Sequence, residues 1–387
     1  MLSGINVALG VTGSIAAVRV VEIAHELRRQ GAKVRGILSK SATGIIHPWA
    51  VEFATDRPVV TEITGAVEHI ELCGNDGWAD VLLIAPATAN TLGKMAAAID
   101  DTPVTTCATT ALGSNLPVVV APAMHAPMAD HPGVIEAIAR LEGWGVSVVD
   151  PRLEEGKAKI ACEEAILLET ARAAGPSPLA GKRVVVTAGA TKESIDPVRI
   201  LTNRASGRTG RAVARACYAR GADVTLIHDG GPVSYADVRS VESTGEMIEA
   251  VTEAVEATEA DALVSAAAIS DYTMEAVAEK IRSGKTDMAL SLTPTPKLLD
   301  RVREAHPDLT MVGFKVETSG DDDAMLEAAQ EIIDRVNLTF VVANDASVMG
   351  AEDTRALFVR RDTVDIYSGS KTGLGLRVAR ELAGDLD

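Results

Sequence analysis

Several residues in this chain could do chemistry by their type and spacing. His69-Ile70-Glu71-Leu72 sets a histidine beside a carboxylate, shortly ahead of Trp78-Ala79-Asp80. An imidazole exchanges protons near neutral pH, although a lone histidine more often serves a surface or structural role. The four cysteines, Cys73, Cys107, Cys162 and Cys217, are widely spaced without a CxxC pair. That spacing suggests neither a zinc site nor a disulfide framework and leaves room for a single reactive thiol. Gly10-Val11-Thr12-Gly13-Ser14-Ile15 joins a β-branched run to a helical pattern. Its backbone N–H groups and the Ser14 hydroxyl can hold an anion at a helix N-terminus, while the same turn is also a common packing device. In Ala85-Pro86-Ala87-Thr88-Ala89-Asn90, Thr88 and Asn90 offer directional donors and acceptors to a flat polar ring, or else a helix cap and turn. Pro122-Ala123-Met124-His125-Ala126-Pro127-Met128 follows the next apolar run in the same manner, with methionines that suit packing. In the second half, Val186-Thr187-Ala188-Gly189-Ala190-Thr191-Lys192-Glu193 repeats the glycine turn. Leu201-Thr202-Asn203-Arg204-Ala205-Ser206-Gly207-Arg208-Thr209-Gly210 then gathers Asn, Ser, Gly and Arg just before a helical stretch, which gives either fixed donors at a positive helix end or ordinary caps.

The elements that must position these groups recur twice. Ile5 to Leu9, a helix through Glu22 to Arg29, and Lys33 to Leu38 form one strand, turn, helix, strand unit. Lys182 to Thr187, a helix from about Gly207 to Arg220, and Asp223 to Ile227 form another. Further buried-strand candidates are Val81 to Ala85 and Pro117 to Ala121, then Ala262 to Ala266, Thr310 to Phe314 and Leu338 to Ala343. Runs this apolar require helices on both faces of a sheet. The expectation is therefore α/β, with two tandem doubly wound, Rossmann-like domains. Ala173-Ala174-Gly175-Pro176-Ser177-Pro178 lacks hydrophobic periodicity, so the expected domains are 1–172 and 182–387 with a linker over 173–181.

Composition narrows the function classes. The 387 residues are 47% hydrophobic and 24% charged, as in a folded globular protein. A formal charge of −17 argues against a general nucleic-acid binder, which needs a basic surface to displace counterions. No apolar stretch reaches membrane-spanning length, and MLSGINVALGVTG lacks the charged n-region and cleavage site of a signal peptide, so a cytoplasmic location is expected.

Taken in order, GVTGSIAA, the His69 of HIEL, WADVLLIAPATAN and the PAM stretch with Met128 resemble the flavin-containing cysteine decarboxylases, specifically phosphopantothenoylcysteine decarboxylase, over most of residues 4–165. The resemblance implies an FMN whose phosphate is held by Gly13, Ser14 and Ser39 and whose ring is contacted by Thr88 and Asn90. It implies His69 as the active-site base or orienting group and Cys162, in Ala161-Cys162-Glu163, as the acid that protonates an enethiolate. It also implies His125 and Met128 on the substrate, with His125 standing where the family often has asparagine to grip a carboxylate. A homo-oligomer with sites between subunits is expected on the same ground.

Residues 182 to about 376 resemble phosphopantothenate–cysteine ligase. The matches run TAGxTxExIDPVRxIxNxSSGxxG, with Ala205 in place of the first serine, then Ala266 to Tyr272, Glu279-Lys280-Ile281, Thr295-Pro296-Lys297, Gly313 to Thr318 and Ala343-Asn344-Asp345. The implied CTP contacts are Gly189, Ser206, Gly207, Asp271, Lys280, the turn Pro296, Lys297, Leu298 and Leu299, and Phe314, with Mg²⁺ bridging the phosphates. Lys280 would offset charge as the carboxylate of 4′-phosphopantothenate attacks the α-phosphate, and Asn203 would stabilise the acyl-cytidylate that cysteine then consumes. The family's KIKK run reads Lys280-Ile281-Arg282-Ser283 here, and Ile332 and Val336 or their neighbours replace lysines expected before Asn337-Leu338-Thr339, with Arg335 near them.

The implied whole is a bifunctional enzyme of coenzyme A synthesis. Alternatives for the first half are a decarboxylase-like or prenyltransferase-like flavoprotein, neither of which predicts a ligase half, and a non-catalytic flavoprotein regulator, which does not require both His69 and Cys162. An NAD-dependent dehydrogenase predicts an acidic residue after the second strand, where Leu38-Ser39-Lys40 stands.

Overall fold

Val81–Ala87 is apolar throughout and buried at every position, as expected for a strand covered on both faces. It is the third strand of a parallel sheet made of β1 (Asn6–Val11), β2 (Lys33–Leu38), β3 (Val81–Ala87), β4 (Val118–Pro122) and β5 (Ser147–Val148), in the order β2-β1-β3-β4-β5. Leu9 pairs with Gly36 on one side and Leu83 on the other. The structure is a computed structural model that describes residues 1–154, 157–282, 288–318, 321–345 and 353–387, excepting the side chains of 153, 154, 157 and 158.

Local chemistry sets the helix starts. Thr102 and Thr105 form a reciprocal capping box with Pro103 at the first helical position, opening the helix Pro103–Gly113. Such a cap contributes about 1 kcal/mol. A three-stranded antiparallel ribbon joins Met124–His125 to Lys157–Lys159 and then to Arg152–Glu154. The chain leaves that ribbon directly into Cys162, the N-cap position of the helix Glu163–Ala174. This helix takes in Ala173 and Ala174, the first residues of the expected linker.

The chain forms two compact units, Met1–Pro176 and Ser177–Asp387. The second unit is built on β6 (Arg183–Thr187), β7 (Asp223–His228), β8 (Asp237–Ser240), β9 (Ala262–Ser265), β10 (Thr310–Glu317), β11 (Phe340–Asp345), β12 (Asp353–Val359) and β13 (Val364–Ser370). Its sheet order is β8-β7-β6-β9-β10-β11-β12-β13. The first six strands are parallel, and β12 and β13 add an antiparallel hairpin at one edge. Each unit has its own core. Leu82, Ile84, Val104 and Leu141 belong to the first, and Val185, Leu263, Met311 and Val341 to the second.

Both orders are doubly wound, 2-1-3-4-5 and 3-2-1-4-5-6, and each reverses direction beside its first strand. Ligands bind such sheets in the crevice outside the carboxyl ends of the strands at that reversal. The crevice lies between β1 and β3 in the first unit and between β6 and β9 in the second.

Candidate functional sites

In the first unit the turns after β1 and β3 meet through Thr12. Its hydroxyl donates to the Pro86 carbonyl at 2.7 Å and accepts from the Thr88 N–H at 3.1 Å, and the side chain is buried. Ser14 caps the short 3₁₀ helix Ile15–Arg19, accepting from Ala16 N–H at 3.4 Å. Ser39, buried after β2, accepts from Ala42 N–H at 3.3 Å and shares a bond with Ser41 at 3.1 Å. Gly13 completes this edge. A β-carbon there would stand 2.5 Å from the Ser41 hydroxyl, so only glycine leaves the space open. Gly13, Ser14 and Ser39 thus share one rim, although Ser14 and Ser39 also act as caps.

Thr88 is the N-cap of Ala89–Ala96, accepting from Thr91 N–H at 3.2 Å, and Asn90 is exposed one residue into that helix. His69 lies on the short helix Glu68–Cys73, with Nδ1 buried and lacking a hydrogen-bond partner among the described residues. Glu71 is not its partner, because it pairs with Arg35 at 2.7 Å. His125 and Met128 are exposed beside the ribbon that leads to Cys162. Cys162 is half-buried, and the next residue, Glu163, pairs with Arg19. That ion pair ties the cysteine's helix to the 3₁₀ helix capped by Ser14. Burial raises the Glu163 carboxyl, but its backbone N–H, Arg19 and Arg152 outweigh burial and hold it below the usual range.

In the second unit, long-range bonds gather the motifs at the carboxyl ends of β6 and β9. The Thr187 hydroxyl accepts from both Ala266 and Ala267 N–H at 3.1 Å. Thr191 accepts from Ser270 N–H at 2.8 Å, and its carbonyl accepts from the Thr202 hydroxyl at 2.8 Å. Asn203 is exposed, and its Nδ2 donates to the Ala268 carbonyl at 3.2 Å. Gly189 and Gly207 have φ of +86° and +69°, conformations that suit glycine, and open toward the N-terminus of helix Arg208–Ala219. Exposed Ser206 precedes that helix, its carbonyl accepting from Arg211 at 2.7 Å.

Asp271 pairs with Lys297, and its carbonyl accepts from Thr295 N–H at 3.0 Å, so the predicted aspartate and the predicted turn are adjacent. Pro296 and Lys297 are exposed, Leu299 and Phe314 partly buried. Leu298 is 3% exposed and packs into the core, so its backbone rather than its side chain faces the turn. Lys280 is exposed, and the neighbouring Ile281 N–H donates to Asp196 Oδ2 at 3.0 Å. Ser283 lies outside the described residues, and Ile332 is partly buried while Val336 is buried. Among the described residues no group of three or more histidine, cysteine or acidic side chains is arranged to hold a metal, and no helix is long and apolar enough to cross a membrane.

Sequence reasoning passed over Thr12, Ser41, Thr187, Thr191 and Asp196 as site residues. All five sit inside or next to motifs already quoted. Thr12, Thr187, Thr191 and Asp196 each bond across a large separation, such as 76 residues for Thr12 to Thr88, which leaves no local trace, whereas the Ser41 hydroxyl bonds to nearby Ser39.

The pattern of the family described as "Flavoprotein" matches residues 1–174, and that described as "DNA/pantothenate metabolism flavoprotein C-terminal domain" matches residues 179–385. The chain is 47% identical over 365 residues to the coenzyme A biosynthesis bifunctional protein CoaBC of Thermococcus kodakarensis, covering 93% of this chain and 90% of that one. The protein of the same name from Methanocaldococcus jannaschii is 33% identical over 388 residues, covering 99% and 94%. That of Bacillus subtilis is 34% identical over 376 residues, covering 91% and 88%. Two tandem switch-point crevices, both family patterns in the same order, and relatives matched over nine-tenths of this chain lead to one conclusion: the chain belongs to the CoaBC family of bifunctional coenzyme A biosynthesis proteins.

Proposed function

We propose that the second unit joins 4′-phosphopantothenate to cysteine at the expense of CTP and that the first unit decarboxylates the product to 4′-phosphopantetheine. The observation that carries the ligase reading is the bond from Asn203 to Ala268. It ties the stretch before helix Arg208–Ala219 to the stretch after β9, across the crevice where a doubly wound sheet binds ligands.

In the ligase, the carboxylate oxygen of phosphopantothenate attacks the α-phosphorus of CTP. An O–P bond forms, the bond to the pyrophosphate oxygen breaks, and pyrophosphate leaves. Such transfers depend on placement and charge compensation. Gly189, Ser206 and Gly207 cradle phosphate, Asp271, Phe314 and the Pro296–Leu299 turn hold the nucleotide, and Lys280 offsets the developing charge. Mg²⁺ would enter with the nucleotide rather than sit on a dedicated protein site, and would offset phosphate charge there, as expected for an ion that keeps few protein ligands. The cysteine amine then attacks the acyl carbon, the bond to CMP breaks, and the amine loses a proton. Asn203 orients the mixed anhydride without attacking it.

The first unit fits FMN: Gly13 leaves a cradle that a β-carbon would fill, with Ser14 and Ser39 on its rim. When bound, FMN supplies reversible two-electron oxidation of the substrate thiol, the electron sink that an unactivated cysteine carboxylate lacks, with no net redox change. Thr88 and Asn90 contact the ring, while His125 and Met128 seat the substrate. The C–C bond to the carboxylate breaks, CO₂ leaves, and the electron pair is held as an enethiolate that Cys162 protonates at carbon. His69 orients the reacting group.

A homo-oligomer is part of this reading. Ile15, Val18, Trp49 and Phe53 are 77%, 54%, 76% and 78% exposed in the protomer, apolar side chains of the kind that a contact between copies would cover. The substrates are small molecules, and no nucleic-acid or membrane partner is invoked for this cytoplasmic activity.

The test is to supply phosphopantothenate, cysteine, Mg²⁺ and CTP to the yellow protein and measure 4′-phosphopantetheine, CO₂ and CMP. Cys162→Ser should block CO₂ release but spare CMP formation, and Asn203→Asp should block cysteine condensation while sparing decarboxylation of supplied phosphopantothenoylcysteine. Unchanged products in either variant remove that residue from the catalytic set.

A further inference from the structure

Lys280 stands on irregular chain, in a run from Met274 to Arg282 without helix or strand. A long flexible ammonium can meet a transient charge only if its backbone is held, because rotamer freedom otherwise spreads it over many positions. The hold comes from far away in sequence. Asp196 Oδ2 accepts from Ile281 N–H at 3.0 Å, and Arg199 donates to the Ile281 carbonyl at 3.0 Å. Both peptide groups of the residue after Lys280 are therefore occupied. Val277 N–H adds a bond to the Ile195 carbonyl at 3.1 Å.

The Asp196 side chain has no solvent exposure, and it also accepts from the N–H groups of Val198 and Arg199 at 2.8 Å and from the Arg199 guanidinium. The two bonds to Val198 and Arg199 close a local turn that needs nothing else. The bond to Ile281, 85 residues on, has no local purpose. Resting on the reading of Lys280 given above, we propose that Asp196 is a positioning residue for Lys280, anchoring the neighbouring peptide so that the ammonium is presented to the CTP phosphates.

The charge needed for this anchor is secure. Burial raises the Asp196 carboxyl, but the Ile281, Val198 and Arg199 N–H groups and the Arg199 guanidinium bring it down to about 2.

A double-mutant cycle tests the inference, read as pyrophosphate released from CTP and phosphopantothenate by the full-length protein. Asp196→Asn is expected to lower kcat about tenfold or more, on the scale of losing a positioned catalytic group, with decarboxylation of supplied phosphopantothenoylcysteine unchanged. In a Lys280→Gln background the same change should cost less than about twofold, because residues acting as one unit are non-additive. Equal losses in both backgrounds would show a general structural role and overturn the inference alone. Full activity in Lys280→Gln would remove the reading of Lys280 and the inference with it. Should Asp196→Asn fail to fold, Asp196→Ser serves the same cycle, because a short hydroxyl can still close the local turn but cannot span to Ile281.

Discussion

Gly207 and Gly189 meet backbone to backbone: a β-carbon on Gly207 would lie 2.8 Å from the Gly189 nitrogen and 2.9 Å from its Cα. The contact brings a helix N-terminus against the turn after β6, so that N–H groups from two segments separated in sequence line one edge of the crevice. Gly207→Ala would close that approach and also place a side chain at φ +69°. The expected outcome is a stability loss of about 1–3 kcal/mol in the second unit, seen by denaturant titration, with CTP-dependent condensation falling at least about tenfold. Release of CO₂ from supplied phosphopantothenoylcysteine should persist.

Thiol chemistry separates Cys162 from the rest. Cys73, Cys107 and Cys217 are buried, and Cys162 is the half-buried one of the four. A hydrogen bond with Cys107 and burial push the Cys73 thiol up, and burial pushes Cys217 up to about 12. Iodoacetamide near pH 8 should therefore modify one thiol in the native protein, mapped to Cys162 by peptide mass. Loss of CO₂ release should track that modification. Comparable labelling at Cys73 or Cys217 would contradict the structure.

Thr12→Val keeps shape and removes the hydroxyl that joins the turns after β1 and β3. The Pro86 carbonyl and Thr88 N–H then lose their partner, at a cost of about 1–3 kcal/mol for buried groups. Weaker retention of FMN on dilution, followed by flavin fluorescence, is expected alongside the stability loss. Retention equal to the parent would mean that the bridge does not shape the flavin site.

Glu193 carries a pH dependence whose sign follows from its environment. Burial raises this carboxyl, but bonds from Thr273 at 2.6 Å and Thr244 N–H at 2.9 Å outweigh it and leave it below its usual value. A depressed folded pKa means that the charged form stabilises the fold above the unfolded value of about 4.3, and that this stabilisation is lost as pH falls through the folded value. Glu193→Gln should be less stable than the parent at pH 7 by about 1 kcal/mol, with the gap closing below about pH 4 in urea titrations. A gap that stays constant with pH would show that the charge is not involved.

The strands with the purest β-branched or apolar runs were legible almost residue for residue: Lys33–Leu38 is as expected, and Val81 to Ala85 continues only to Ala87. The hairpin Asp353–Val359 and Val364–Ser370 was not anticipated. Its second strand is largely exposed, as an edge strand can be, so it lacks the apolar run that marks the central strands. His69 and Glu71, neighbours in the sequence, do not meet: Glu71 pairs with Arg35, because residues two apart on a helix point to different faces.

By itself the sequence determined the central apolar strands and which motifs stand at their ends, because periodicity and turn chemistry act over a few residues. Tertiary structure alone decided the strand orders, and hence that turns 76, 65 and 85 residues apart would meet at Thr12 with Thr88, Asn203 with Ala268 and Asp196 with Ile281. A hydrogen bond between distant segments leaves no periodic trace in the chain. It forms only after burial of both faces of a sheet has brought its strand ends together, which is where these sites are assembled.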